Sequence, residues 1–225
     1  MRPFATSLVV LVLFGRFAFA SEDAVDSRDA SARNVVREIN LARQNPAQYA
    51  AFVESLRGSM MGNVMVLPGG TRIRIKEGVG ALNEAIRFLR TTPPQAPLVM
   101  SSGMSHAAAD HCADQAAGGF GHRGRDSSNA LNRISRYGTC RGSWGENISY
   151  GKSTARAVVL ALIIDDGQSA RKHRKNIFNP AFNFAGAALG RHAKFGTICS
   201  VDFAAAYAER GHSPAESLVA GPDVR

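Results

Sequence analysis

Nothing in this chain assembles the usual parts of a nucleophilic or nucleotide-dependent enzyme. No Ser or Cys stands in a nucleophile elbow, no His-Glu-x-x-His helix is present, and no Gly-rich phosphate loop follows a strand. Cysteine is scarce, with three in 225 residues, so at most one internal disulfide can form. No compact Lys/Arg run is interleaved with aromatic residues, so nucleic acid is not an expected partner. Long apolar runs are missing too. The longest, Leu8 to Phe14, is broken by Gly15-Arg16 and falls short of the ~20 residues a membrane span needs.

That run has the layout of a secretory signal: basic at Arg2, apolar in the middle, and Ala18-Phe19-Ala20 as a small-x-small cleavage site. Residues 1–20 are read as a signal peptide, which places the protein in a secreted, periplasmic or extracellular setting with no transmembrane span after cleavage. Cleavage removes Arg2 and Arg16 and no acidic residue, so the formal charge falls from +9 to +7. A basic exported chain favours anionic surfaces as a long-range bias. Export also permits disulfides, and Cys140 with Cys199 is the preferred pairing, against three reduced thiols at Cys112, Cys140 and Cys199.

Residues 21–31 are small and charged and read as a flexible lead-in. From Ala32 apolar residues recur at helical spacing, with a break at Gln44-Asn45-Pro46 and a second helix to about Arg57. Residues 58–76 carry turn chemistry and at most a short hairpin. Helices are expected over 79–90, 98–117, 129–137 and 155–164, and Pro-rich residues 91–97 join two parts of one domain. A strand is expected around Glu146. Phe184 to Leu189 and Phe195 to Phe203 form a closing hairpin, and a disordered tail occupies 208–225. Trp144 reads as a core or wall residue.

The chemistry centres on Gly145-Glu146-Asn147-Ile148, with His122 before it and His173 after it. Two imidazoles and a carboxylate suit a divalent metal, Zn²⁺ or a similar ion, held by His122, His173 and Glu146. The same groups could move protons. His122 could equally be a loop histidine held by backbone hydrogen bonds, and Glu146 a structural carboxylate. His106, His111, His192 and His212 have no partner pattern.

Gly121-His122-Arg123-Gly124, then Gly145-Glu146-Asn147-Ile148, then His173 to Phe178, and Gly186 ahead of the last hairpin resemble the ordered signatures of the CAP superfamily. That is the family of cysteine-rich secretory, antigen 5 and pathogenesis-related proteins, here in a divergent, bacterial-type form. The resemblance implies an α+β fold, a three-layer α-β-α sandwich over 32–207 with an insertion at about 58–97. It also implies a cleft built from two histidines and two acidic residues: His122, Glu146, His173 and, as the fourth, Asp165, with Asp166 as its competitor. The family's Trp-x-x-Glu is replaced here by Leu162-Ile163-Ile164-Asp165. The expected function is a secreted module binding a lipid, glycan or protein ligand. A metal-assisted, peptidase-like hydrolase and a cell-envelope structural protein are the alternatives.

Overall fold

The computed structural model describes residues 22–210, with side chains from residue 31 onward. The expected signal peptide and residues 211–225 of the expected tail lie outside the described residues. Helix α1 (Glu22–Gln44) begins ten residues before Ala32, so most of the stretch expected as a flexible lead-in belongs to it. Pro46 opens helix α2 (Pro46–Ser55) at its first position, where a missing N–H costs no helical hydrogen bond.

The insertion folds into a small antiparallel sheet of β1 (Met60–Met61), β2 (Val64–Val66) and β3 (Arg72–Arg74), where at most a hairpin was expected. Its alternation puts Met65, Ile73 and Ile75 into the main core. Helix α3 (Val79–Thr91) follows, burying Leu82, Ala85, Ile86 and Leu89 on one face. Then come β4 (Val99–Met100), α4 (Ser102–Gln115), α5 (Ala130–Ile134), β5 (Gly138–Tyr150), α6 (Ala155–Ile164), α7 (Lys172–Ile177), β6 (Phe184–His192) and β7 (Gly196–Glu209).

The main sheet has the order β4-β6-β7-β5, antiparallel except where β4 runs parallel to β6. α1 and α4 both pack on β6, from opposite sides, and α6 lies beside α1. The core on the α1 and α6 side holds Val35, Ile39, Val159, Ile163, Val201 and Phe203; a smaller cluster of Met104, Ala107, Ile134 and Ala204 lies under α4. This is the α+β sandwich expected. β5 is the edge strand, and its two faces look into different helical layers.

α4 sits directly on the sheet backbone. A Cβ at Gly186 would lie 2.3 Å from the Met104 carbonyl carbon and the Ser105 nitrogen, so only hydrogen fits there. The helix start is held twice. Ser101 Oγ accepts from Met104 N at 3.0 Å and donates to Glu209 Oε1 at 2.7 Å, while Gly103 N donates to Glu209 Oε2 at 2.9 Å. A carboxylate at a helix N-terminus also complements its dipole.

On the opposite layer Arg43 is buried, and its guanidinium donates to four carbonyls: Ala96, Ile177, Asn179 and Phe182. That single side chain ties α1 to the chain after α3 and after α7. Burial without a counter-charge lowers its pKa from the ordinary value.

The expected Cys140–Cys199 disulfide does not form; all three cysteines are free thiols. Cys140 pairs with Tyr207 in the sheet, eight residues along β7 from Cys199. At ~3.3 Å per residue that is roughly 26 Å, against the ~7 Å limit for bridging. Burial pushes the Cys112 thiol up to about 12 and raises Cys140 and Cys199 as well, so none is a ready nucleophile. Trp144, expected in a core or wall, is exposed on β5. Among the described residues no helix is long and apolar enough to cross a membrane.

The contact at Gly186 yields a test. Gly186→Ala should destabilise the protein by at least about 2 kcal/mol through overpacking, seen as a lower urea midpoint with an unchanged slope. A wild-type midpoint would mean that α4 can lift from the sheet at little cost.

Candidate binding cleft

The sequence Gly145-Glu146-Asn147 makes local sense on an edge strand, because alternate residues face opposite layers. Gly145 lets α7 approach: a Cβ there would come within 3.2 Å of the Asn176 side chain. Glu146 points to the α4 and α5 side. Asn147 points to the α7 side, where its Nδ2 donates to His173 O at 2.9 Å and its Oδ1 accepts from Asn176 Nδ2 at 2.9 Å. One strand therefore positions groups from both layers.

On the α4 side, His122 Nδ1 hydrogen-bonds Glu146 Oε1 at 2.8 Å. Glu146 Oε2 accepts from Arg133 Nη2 at 2.5 Å and from Ser200 Oγ at 3.3 Å. Arg133, on α5, is fully buried, and its Nη1 also donates to Ser128 O at 3.0 Å. It thereby fixes the loop that carries His122. His111, buried on α4, donates from Nε2 to Gly121 O at 2.9 Å and lies 3.8 Å from Glu146 Oε2. Burial alone would raise the Glu146 pKa. The hydrogen bond from His122 and the charge of Arg133, with smaller contributions from His111, outweigh it and hold the carboxyl below its ordinary value. Burial lowers the His111 pKa, which favours its neutral form.

On the α6 and α7 side the second pair is Asp165 with His173. Asp165 caps α6 in the left-handed region at φ 54°. Its Oδ1 meets His173 Nδ1 at 2.7 Å, and its Oδ2 accepts from His173 N at 2.9 Å and Arg174 N at 3.2 Å. Asp166 turns the other way. It accepts the backbone N–H of Lys76 at 2.6 Å and of Glu77 at 2.9 Å, and so pins the insertion to the α6–α7 connection.

The four expected residues thus fall into two histidine–carboxylate pairs bordering one cleft. The carboxylates are buried, at 3% and 1% side-chain exposure, and the rings reach solvent, at 57% for His122 and 22% for His173. In each pair Nδ1 is taken and Nε2 remains for a ligand. Both rings line a space of about 470 Å³ with Lys172, Lys175, Gln168 and Asn176, and a second of about 450 Å³ that runs towards the insertion. Among the described residues no three His, Cys, Asp or Glu side chains are grouped to hold a metal ion. The donor set is two imidazoles, with both Glu146 oxygens already engaged.

Sequence reasoning missed Arg133, His111 and Asp202. Asp202 sits opposite Glu146 in the sheet register, fully buried, with neither carboxylate oxygen hydrogen-bonded within the protein. Burial, reinforced by the Glu146 charge, pushes its pKa well above the ordinary value despite Arg133. A charged residue in a run as apolar as Ile198 to Phe203 was the available signal.

Fold and site together define a class: a three-layer sandwich domain with paired histidines and carboxylates across the edge of its sheet. A family model described as the cysteine-rich secretory protein family, CAP, matches residues 82–203, more than half of the chain, and the chain belongs to that family. Among solved structures it is similar to an outer surface protein of Borrelia burgdorferi, with 18% identity, 64% of this chain and 98% of that one covered, and a TM-score of 0.42. It is similar too to an SCP-domain extracellular protein of Bacillus anthracis (22% identity, 55% and 37% covered, TM-score 0.37) and to a cysteine-rich secretory protein of Staphylococcus aureus (14%, 61% and 42%, TM-score 0.35). The chain spans well under half the length of those last two. No curated protein matches it.

Asp202 supplies the test of this electrostatic picture. Its folded pKa is raised, so above about pH 4 the unfolded chain binds fewer protons and wild-type stability is lowered as pH rises. Asp202→Asn removes that linkage. Its gain over wild type should be absent near pH 3 and grow above pH 4 by up to about 1.4 kcal/mol per pH unit. A pH-independent difference in urea midpoints would show that Asp202 is not held protonated.

Proposed function

We propose that the protein is an exported binding module whose lipid, glycan or protein ligand is seated over His122 and His173. The observation that carries this reading is the pairing itself. Each ring is fixed at Nδ1 by a buried carboxylate and turns its other edge to the cleft, which is preorganised for recognition. Export rests on the signal-like residues 1–20.

A divalent ion such as Zn²⁺ would be held by the two Nε2 edges, with Glu146 and Asp165 as the orienting partners that metal-bound imidazoles commonly have. When bound, it would supply a Lewis-acidic anchor for an anionic or carbonyl group of the ligand. Glu146 would support the ligating ring and would not itself be a donor.

The hydrolase reading needs a carboxylate free to take a proton from water. Glu146 is buried, with both oxygens engaged by His122, Arg133 and Ser200, and Asp165 is occupied by His173 and two backbone N–H groups. Binding is therefore favoured over turnover.

Lipid and glycan screens on the purified protein, with and without Zn²⁺, test the proposal. His122→Ala and His173→Ala should each weaken a recovered ligand about tenfold or more, the size of one charge-assisted contact. Zinc calorimetry should show a heat signal that His122→Ala abolishes. Absence of any ligand in the screens, or peptide or ester hydrolysis lost in His122→Ala, would sink the binding-module reading.

A further inference from the structure

The space of about 450 Å³ leading from the two histidines towards the insertion has a composition of its own. That volume falls within the range of small-molecule sites. One wall is Ile73 and Ile75 from the insertion, facing Ile148, Leu162 and Ile164 from β5 and α6. At one end lies Phe120, 74% exposed and stacked on Tyr150 with ring centroids 4.8 Å apart. An aromatic ring that packs on one neighbour and leaves most of its surface bare offers apolar contact to something outside the chain.

The charged groups along this space are unequal. Asp165 and Asp166 have their oxygens engaged, Asp165 by His173 and two backbone N–H groups and Asp166 by the N–H groups of Lys76 and Glu77. Lys152 is different. It is half-buried in the loop between β5 and α6, lines the pocket, and has no hydrogen-bond or ion-pair partner among the described residues. Desolvation lowers its pKa from the ordinary lysine value. An ammonium drawn part-way out of water with no counter-charge is an incomplete pair, and the missing half is an anion.

We propose that this pocket takes a small amphiphile, an apolar body ending in a carboxylate, with Lys152 pairing the carboxylate and the isoleucine walls and Phe120 covering the body. The proposal rests on the cleft being a binding site and names the ligand class for the arm of it that the insertion encloses. Lys76, on the same rim, adds a second positive charge at the mouth. The walls from Ile73 and Ile75 belong to the insertion and are held by the Asp166 contacts, so the pocket depends on a segment specific to this chain.

Calorimetry with decanoate, hexanoate and decanol tests it. Decanoate should bind, and each of the methylenes it has beyond hexanoate that enters the pocket should add about fourfold in affinity. Decanol should bind more weakly than decanoate. Lys152→Gln should cost decanoate about tenfold or more with an unchanged urea midpoint, since Lys152 holds no partner in the fold. Phe120→Ser should weaken decanoate several-fold, again without unfolding. Equal affinity for decanoate and decanol, no gain with chain length, or full decanoate binding by Lys152→Gln would each overturn the assignment. So would binding to phosphatidylserine vesicles without binding of decanoate, which would indicate a membrane surface as the occupant. If decanoate fails while a ligand dependent on His122 is still recovered, the amphiphile pocket is wrong and the binding module stands. If no ligand of any kind binds, both fall.

Discussion

A carboxylate kept ionised inside the protein is the constraint from which the cleft is built. Glu146 is nearly inaccessible, and an unpaired charge there would cost several kcal/mol. Arg133 supplies the counter-charge at 2.5 Å and is itself fully buried. The guanidinium then needs acceptors for its other N–H groups and finds one in Ser128 O, on the loop that brings His122 over the strand. The chain of needs runs outward from the charge. A buried acid requires a buried base, the base requires loop carbonyls, and the loop so fixed presents a histidine to solvent.

The second pair reaches a similar end by a different route. Asp165 is held by the geometry of a helix terminus, a left-handed residue after the last turn of α6 whose carboxylate meets the first backbone N–H groups of α7. No buried arginine is required, because the start of a helix offers N–H donors and a favourable dipole. What couples the two pairs is the edge strand β5. Asn147 donates to the His173 carbonyl from one face while Glu146 holds His122 from the other, so a shift of β5 would move both rings together. Gly145 admits the α7 side chain that completes this contact.

What could be read beforehand was local. The helical periodicity of 79–90 and 155–164, the Ser101 and Thr154 caps and the closing hairpin depend on residues near one another in sequence, and the structure follows them closely. His122, Glu146 and His173 could be named because each lies in a short motif. Arg133 could not. Nothing around it distinguishes it from a solvated arginine on a short helix, and its burial follows from the position of Glu146 across 13 residues of chain. The Cys140–Cys199 pairing failed for a related reason: two cysteines that share a sheet can still be far apart along it, and only the register reveals the distance. Residues 58–76 looked like a loop because three short strands carry too few alternating positions to stand out against their turns.

Asp165 and Asp166 were equivalent candidates in the sequence, and one residue of difference assigns them to opposite tasks. The left-handed turn at Asp165 directs its side chain back across the start of α7, while the next carboxylate faces the insertion and gathers the N–H groups of Lys76 and Glu77. Arg171 reinforces this second contact through Glu77, at 2.7 Å, and lends one N–H to the Asp165 carbonyl. The orientation of His173 and the position of the insertion are therefore set by consecutive residues. Any displacement of the Asp165-Asp166 turn would be felt in both, so the imidazole edge and the isoleucine wall are parts of one mechanical unit.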